Sequence, residues 1–271
     1  MTMWNTVILD PMINSLLFIY DLLGRQLGLA GAFGLAIIVF TILIRLITLP
    51  LTVRSQQSMQ KMQAMQQDER FLKLQKKYKD NKQKLQEEQL KLYKEMGINP
   101  LSGCLPQLIQ LPVIFGLYGA IIRALSDSPV PLLEFSKHIY SSISTSVIPL
   151  DSHFLWMDLG QPERWRLDFL SGLPFLADGI PVLAIVVVIT TYLQTKLTTP
   201  TAPTTQGGGM TQAMNIYVPL LLGYFAYSLA SGLALYFFIS NLLAIVQAAA
   251  MKRVDWRGLL SRATTLVKRP G

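Results

Sequence analysis

The sequence predicts an all-α polytopic membrane protein, and three observations carry that prediction. Apolar residues make up 51% of the 271 and charged residues only 15%, with a mean hydropathy of +0.38. Such a composition belongs to membrane chains rather than to soluble domains. Five apolar stretches, at about 30–50, 104–124, 177–197, 212–230 and 232–251, are long enough, or nearly so, to cross ~30 Å of hydrocarbon. The charge of the joining segments alternates. Residues 51–97 hold eleven Lys/Arg against six Asp/Glu, and the tail after Ala250 adds Lys252, Arg253, Arg257, Arg262, Lys268 and Arg269. Segment 126–177 has three basic residues facing six acids. The positive-inside rule therefore puts 51–97 and the C-terminus in the cytoplasm, and the N-terminus and 126–177 outside.

Residues 1–29 read as an external region with an interfacial helix. Stretch 7–23 is apolar but interrupted by Asp10, Asn14 and Asp21, and positions 9, 13, 16, 20 and 23 share one helical face suited to the outer leaflet. The first span follows at 30–51. Residues 52–98 form a cytoplasmic helical hairpin, with Met59, Met62 and Met65 on one side, a polar break at Lys79-Asp-Asn-Lys82, then Leu85, Leu92 and Met96 at helical spacing. Its Lys-rich face fits a solvated surface as well as it fits docking of a partner or of anionic headgroups. Its methionines fit an internal seam or an adaptable contact surface. Gly97 and Pro100 end the second arm.

The second span, 99–125, carries Pro106 and Pro112, tolerable where neighbours satisfy the freed carbonyls. The external loop, 126–176, is broken by prolines, and its Trp156 and Trp165 suit a membrane interface. The third span is 177–198, and 199–211 is a flexible low-complexity loop. Spans 212–230 and 231–251 form a tight hairpin across Ser228-Leu-Ala-Ser-Gly232, and 252–271 is a basic cytoplasmic tail. Residues 1–25 lack a basic start and a small-residue cleavage site, and no transit peptide is visible, so a multi-pass protein of a bacterial plasma membrane is expected. The single cysteine, Cys104, implies no intramolecular disulfide.

One full charge lies inside the first span. Arg45 at bilayer depth costs at least ~2.5–3.5 kcal/mol on insertion scales. It stands five residues before Pro50, about 7 Å from the helix end, so it can snorkel to the interface or line a wet cavity. Polar positions on the other spans favour the cavity. Thr41, Arg45, Thr48 and Thr52 form one stripe, and Gln107 and Gln110 lie three apart in the second span. Thr190, Gln194 and Thr198 form a stripe in the third, Asn215 opens the fourth, and Ser240 and Gln247 share a stripe in the fifth with Asn241 beside them. A single such residue makes an ordinary interhelical hydrogen bond worth about 0.6 kcal/mol. A polar contribution from every span in its cytoplasmic half predicts a hydrophilic groove wet from the cytoplasm and closed toward the outside.

Apart from Asp178 at the outer edge of the third, the spans hold no Asp, Glu or His, and both histidines, His138 and His153, read as surface residues of the external loop. No acid–base pair, metal cluster or activated nucleophile is visible, so neither an enzyme nor a cofactor is expected. Arg45 cannot relay protons, because an arginine side chain stays protonated at physiological pH. A fixed cation in a greasy-sided groove suits an acidic or hydrophilic polypeptide flank. Two other readings are a small-anion carrier using Arg45 as ligand, which the lack of an internal repeat weakens, and a membrane scaffold recruiting partners through the hairpin.

Asn99-Pro-Leu-Ser-Gly-Cys-Leu-Pro-Gln-Leu-Ile-Gln-Leu-Pro-Val-Ile-Phe-Gly-Leu-Tyr118 closely resembles the second-span signature of YidC-type membrane protein insertases, relatives of the mitochondrial oxidase-assembly and chloroplast albino insertases. Matches in the expected order are Ile44-Arg-Leu-Ile-Thr-Leu-Pro-Leu51, Lys77-Tyr-Lys-Asp80 with Leu92-Tyr-Lys94, Phe154-Leu-Trp-Met-Asp-Leu159, and Gly232-Leu-Ala-Leu-Tyr236 with Ser240-Asn241. The resemblance covers about residues 30–250. It implies that the groove arginine is Arg45 and the second-span groove glutamine Gln110, with Gln194 and Asn241 as third- and fifth-span candidates. It implies nascent membrane proteins as substrates, inserted into the lipid bilayer without nucleotide or specific nucleic acid. The Sec translocon, a targeting receptor and the ribosome are the implied partners, although a tail of about 20 residues is short for ribosome binding. The chain differs from some relatives in lacking a large outer domain between its first two spans.

Overall fold

The computed structural model describes residues 3–66, 68–78, 81–97, 105–125, 135–140, 150–165, 179–198 and 208–250. The basic tail, most of the expected flexible loop and much of the expected external loop lie outside that set, as do the side chains of 63, 66, 82, 105–107, 198 and 208–215. The chain is an all-α polytopic membrane protein. α1 (Asn5–Gln26) is α-helical at Asp10–Asp21 and widens to π-helical turns at Asn5–Leu9 and Leu22–Gln26. α2 (Ala32–Gln66) runs out of the expected first span and on past residue 51 as one helix with Pro50 inside it. α3 (Glu69–Lys77) and α4 (Lys82–Glu95) follow, then α5 (Leu105–Ala124). A two-stranded hairpin, β1 (His153–Phe154) and β2 (Met157–Asp158), precedes α6 (Val182–Thr198), α7 (Gly208–Ser228) and α8 (Ser231–Ala250). α7 thus begins four residues before the expected start of the fourth span, inside the segment read as flexible. Among the described residues, Asn5–Gln26, Ala32–Met62 and Ser231–Ala250 are long and apolar enough to cross a membrane, and Leu108–Ala124, Val182–Leu197 and Ile216–Ser228 are shorter apolar helices.

The segment after the first span has a small core of its own, Met65, Phe71 and Leu92, with Met62, Leu74 and Tyr93 against it. Two of the three methionines therefore serve as an internal seam. The arms are set by side-chain caps: Asp68 accepts from the Arg70 N–H at 2.8 Å and Asn81 from the Lys84 N–H at 3.1 Å. Each satisfies a backbone donor that a helix start leaves free.

The main core is concentrated at one end of the bundle. On α2, Ala32, Phe33, Ala36, Ile37, Phe40 and Thr41 are buried, and no residue from 42 to 50 is. On α5 the buried positions begin at Gly116, with none from 108 to 115, and on α6 none is buried from 192 to 197. Close approaches tighten the packed end. A Cβ on Gly232 would meet Ile121 and Ile37 at 3.0 and 3.2 Å, and one on Gly223 would come within 2.2 Å of Val188. The β-hairpin closes this end. Phe154, Met157 and Leu159 are buried in the core, Ser231 Oγ donates to the Asp158 carbonyl at 2.6 Å, and the Gly232 N–H donates to the Leu159 carbonyl at 3.0 Å.

Two expectations from the sequence need correction here. The apolar face of α1 does not lie free for lipid: Leu9, Ile13 and Leu16 are buried in the main core, with Tyr20 and Leu23 packed against it. Gly116 of α5 lets Met12 close in, a Cβ there falling 2.4 Å from its sulfur. His138 is not a surface residue. Its Nδ1 lies 2.6 Å from Asp10 Oδ1, with side-chain exposures of 12% and 10%, and Asn14 brackets the same segment by donating to the His138 carbonyl and accepting from the Tyr140 N–H. The polar interruptions of α1 are thus its attachment to segment 135–140. His153 is exposed, as expected.

Candidate functional site

Where the packed end gives way to the open one, polar side chains from three helices meet. Arg45 sits one turn beyond Thr41, the last buried residue of α2 before the helix opens, and its Nη2 donates to the Ser240 carbonyl of α8 at 2.9 Å. Its Nε is buried with no partner. An unmet buried donor costs about 1–3 kcal/mol, more for a charged group. One turn above Ser240, the buried Tyr236 accepts a hydrogen bond from Gln110 Nε2 of α5 and lies within electrostatic reach of the Arg45 guanidinium. α2, α5 and α8 are therefore joined at one level by Arg45, Ser240, Tyr236 and Gln110.

Next to Ser240, the buried Asn241 turns to α6. Its Nδ2 donates to Thr191 Oγ1 at 2.8 Å and to Thr190 Oγ1 at 3.2 Å. That side chain pins two helices together rather than facing open space. Two turns below Ser240, Gln247 is half-buried and its Nε2 is buried without a partner. Gln194 on α6 is half-buried and already partnered. Gln107 lies on α5, but its side chain is outside the described residues.

The threonines of the α2 stripe behave differently from the rest. Thr41 Oγ1 donates to the Ile37 carbonyl at 2.6 Å, Thr48 Oγ1 to Ile44 at 2.8 Å and Thr52 Oγ1 to Thr48 at 2.9 Å. Each hydroxyl is thus spent on its own helix, a local bond that a sequence stripe does not reveal. Tyr236 is the site residue that sequence reasoning passed over, counted there as part of an apolar span. The available signal was its hydroxyl, since a buried tyrosine O–H needs a partner.

Pro50, Pro112 and Pro219 lie inside α2, α5 and α7. Each lacks an N–H, so the carbonyls of Leu46, Leu108 and Asn215 lose their intrahelical donor. Among the described residues no group of three or more His, Cys, Asp or Glu could hold a metal ion. What the site offers chemically is a fixed cation and unmet N–H donors, an arrangement that binds polar groups by hydrogen bonding and charge.

The model of the family described as 60Kd inner membrane protein matches residues 26–257, which include every helix of this site. The chain belongs to that family. Among curated members, it is 36% identical to the membrane protein insertase YidC of Prosthecochloris aestuarii over 231 residues, 84% of this chain and 34% of that one. It is 34% identical to YidC 1 of Listeria monocytogenes, over 90% of this chain and 70% of that one. With YidC 2 of Bacillus anthracis it shares 33%, over 92% and 81% of the two chains. The chain thus spans about a third of the Prosthecochloris member's length but most of the length of the other two. A crystal structure of an active YidC insertase with its first transmembrane domain resolved superposes with a TM-score of 0.54 and 26% identity, covering 89% of this chain and 46% of that one.

Proposed function

We propose that this chain is a membrane protein insertase that captures hydrophilic flanks of nascent membrane proteins at Arg45 and releases their hydrophobic segments into the bilayer. The observation that carries the reading is the unpartnered Arg45 Nε at the boundary between a packed and an open half of the bundle. The open half is the cytoplasmic one, as the basic 51–97 segment requires, and its groove is lined by Arg45, Gln110 and Gln247. The packed half, sealed by the β-hairpin, faces outside. α1 belongs to that outer side, because Asp10 and Asn14 are both engaged by the external segment 135–140. A guanidinium in surroundings of low dielectric attracts a client carboxylate more strongly than it would in water, and the exposed apolar faces of the spans take the hydrophobic part. The helical segment of residues 52–98 is offered to the Sec translocon, a targeting receptor or the ribosome. No cofactor or nucleotide enters the cycle.

The test is insertion by the reconstituted chain of clients with acidic or neutral N-terminal tails. Arg45→Ala should lower insertion of the acidic clients about tenfold, the loss expected for one charge-assisted hydrogen bond of ~1.5 kcal/mol, while Arg45→Lys retains most of it. Equal insertion by both variants takes Arg45 out of the mechanism. Inorganic anion flux through the same vesicles, abolished by Arg45→Ala with insertion unchanged, would establish the carrier reading instead.

A further inference from the structure

The tip of the β-hairpin is built at a conformational cost that nothing among the described residues offsets. Phe154 pairs with Met157, so Leu155 and Trp156 form a two-residue turn. Leu155 has φ +56°, alone among the described non-glycine residues in having a positive φ. Two-residue hairpin turns with a positive first φ favour glycine there, and a bulky side chain is strained in that region. Such strain persists where surrounding structure compensates it. Leu155, 74% exposed, obtains no such compensation from the described residues. Beside it, Trp156 is 52% exposed and stacks on the equally open Trp165, ring centroids 5.7 Å apart and planes at 27°.

The platform is rigid and internally satisfied. Trp156 Nε1 donates to Glu163 Oε1 at 3.1 Å, and the other oxygen of the buried Glu163 accepts from the Leu183 N–H at the start of α6. Trp165 exchanges both backbone hydrogen bonds with Ile180. With its N–H already bound, the exposed surface of Trp156 needs neither water nor a headgroup acceptor. Depth follows from the hairpin's attachment, because Asp158 and Leu159 bond to Ser231 and Gly232, the first residues of the spanning helix α8. The strained turn therefore stands where that helix enters the hydrocarbon on its outer side.

We infer that Leu155, Trp156 and Trp165 form a lipid-inserting wedge that seats the outer end of the bundle in the acyl region of the outer leaflet. Leucine is kept in a glycine-favouring conformation because burial in lipid, outside the protein, repays the strain. This goes beyond client capture and does not depend on it. The test uses the whole chain carrying Trp4→Phe and Trp256→Phe, so that emission comes from the pair, in vesicles of phosphatidylethanolamine and phosphatidylglycerol containing phosphatidylcholine brominated near the top of the acyl chain. The wedge requires strong quenching by the brominated lipid and little by aqueous acrylamide. Adding Leu155→Gly, which suits the positive φ and preserves the turn, should weaken the lipid quenching. Quenching by acrylamide but not by lipid would overturn the inference, as would protection from both, which would mean that a second copy or another protein covers the tip. Lipid quenching unchanged by Leu155→Gly would remove Leu155 from the wedge.

Discussion

The two halves of the helix bundle share the same spans but are built on different physics. In the packed half the helices bury apolar faces, glycines allow close approach, and the β-hairpin fills the end. In the open half α2, α5 and α6 bury little, prolines interrupt hydrogen-bond ladders, and Arg45 and Gln247 keep buried donors without partners. Stability is concentrated in the first half, and unmet hydrogen-bonding capacity in the second. A bundle packed uniformly along its length would be more stable and would have nothing with which to hold a polar flank. Sites that must open are drawn from the less stable part of a structure, and here the division runs across the bundle between Thr41 and Arg45.

The largest expected effect comes from substituting one apolar residue in each half. Phe33→Ala, at a fully buried position of the packed half, should cost about 3–5 kcal/mol of stability through lost burial and an unfilled cavity. Leu46→Ala, at an exposed position of the open half of the same helix, should stay within roughly 0.5 kcal/mol. Unfolding in mixed detergent micelles measures both. Comparable losses would mean that the open half is packed by contacts absent from this conformation, and the contrast would fail.

A smaller effect tests whether the polar residues of α8 divide between structure and function. Asn241 clamps α6 through Thr190 and Thr191, so Asn241→Ala should cost about 0.6–1.7 kcal/mol, the range for interhelical hydrogen bonds in membranes. Its effect on client insertion should not depend on the client's charge. Arg45→Ala should show the reverse pattern, with stability unchanged or slightly raised because a poorly satisfied buried charge is removed. A charge-selective insertion defect from Asn241→Ala would move that residue into the binding surface.

The parts visible in the sequence were those where one residue type contradicts its surroundings. Arg45 in an apolar run, Gln110 near prolines and Ser240 in the last span stand out because their cost in lipid is large and helical periodicity supplies their direction. Tyr236 did not stand out, since its ring fits a span and its hydroxyl is a small signal. His138 was misread because its partner Asp10 lies 128 residues away, and no local pattern encodes such a pairing. α1 illustrates the same limit. Periodicity identified its apolar face, but whether protein or lipid covers a face depends on tertiary contacts. The strained turn was hidden for a different reason: leucine is not a turn residue, so no turn signal marked Leu155.

The smallest expected effect separates a stripe read along one helix from a site assembled across several. Thr48 shares the α2 face with Arg45, yet its hydroxyl bonds to the carbonyls of Ile44 and Arg45 on its own helix. Replacing it with valine keeps the shape and removes a bond that the helix does not need, since those carbonyls are also ladder acceptors. Thr48→Val should therefore change stability by only a few tenths of a kcal/mol, below the ~0.6 kcal/mol of an interhelical bond, and leave insertion of acidic clients unaltered. The same holds for Thr41→Val, whose hydroxyl is closed off inside the packed half. A clear insertion defect from Thr48→Val, measured beside an inert Thr41→Val, would mean that the hydroxyl turns from its own carbonyls toward the client or its water. The polar stripe on α2 would then act as a unit, and the working surface would begin directly below Thr41.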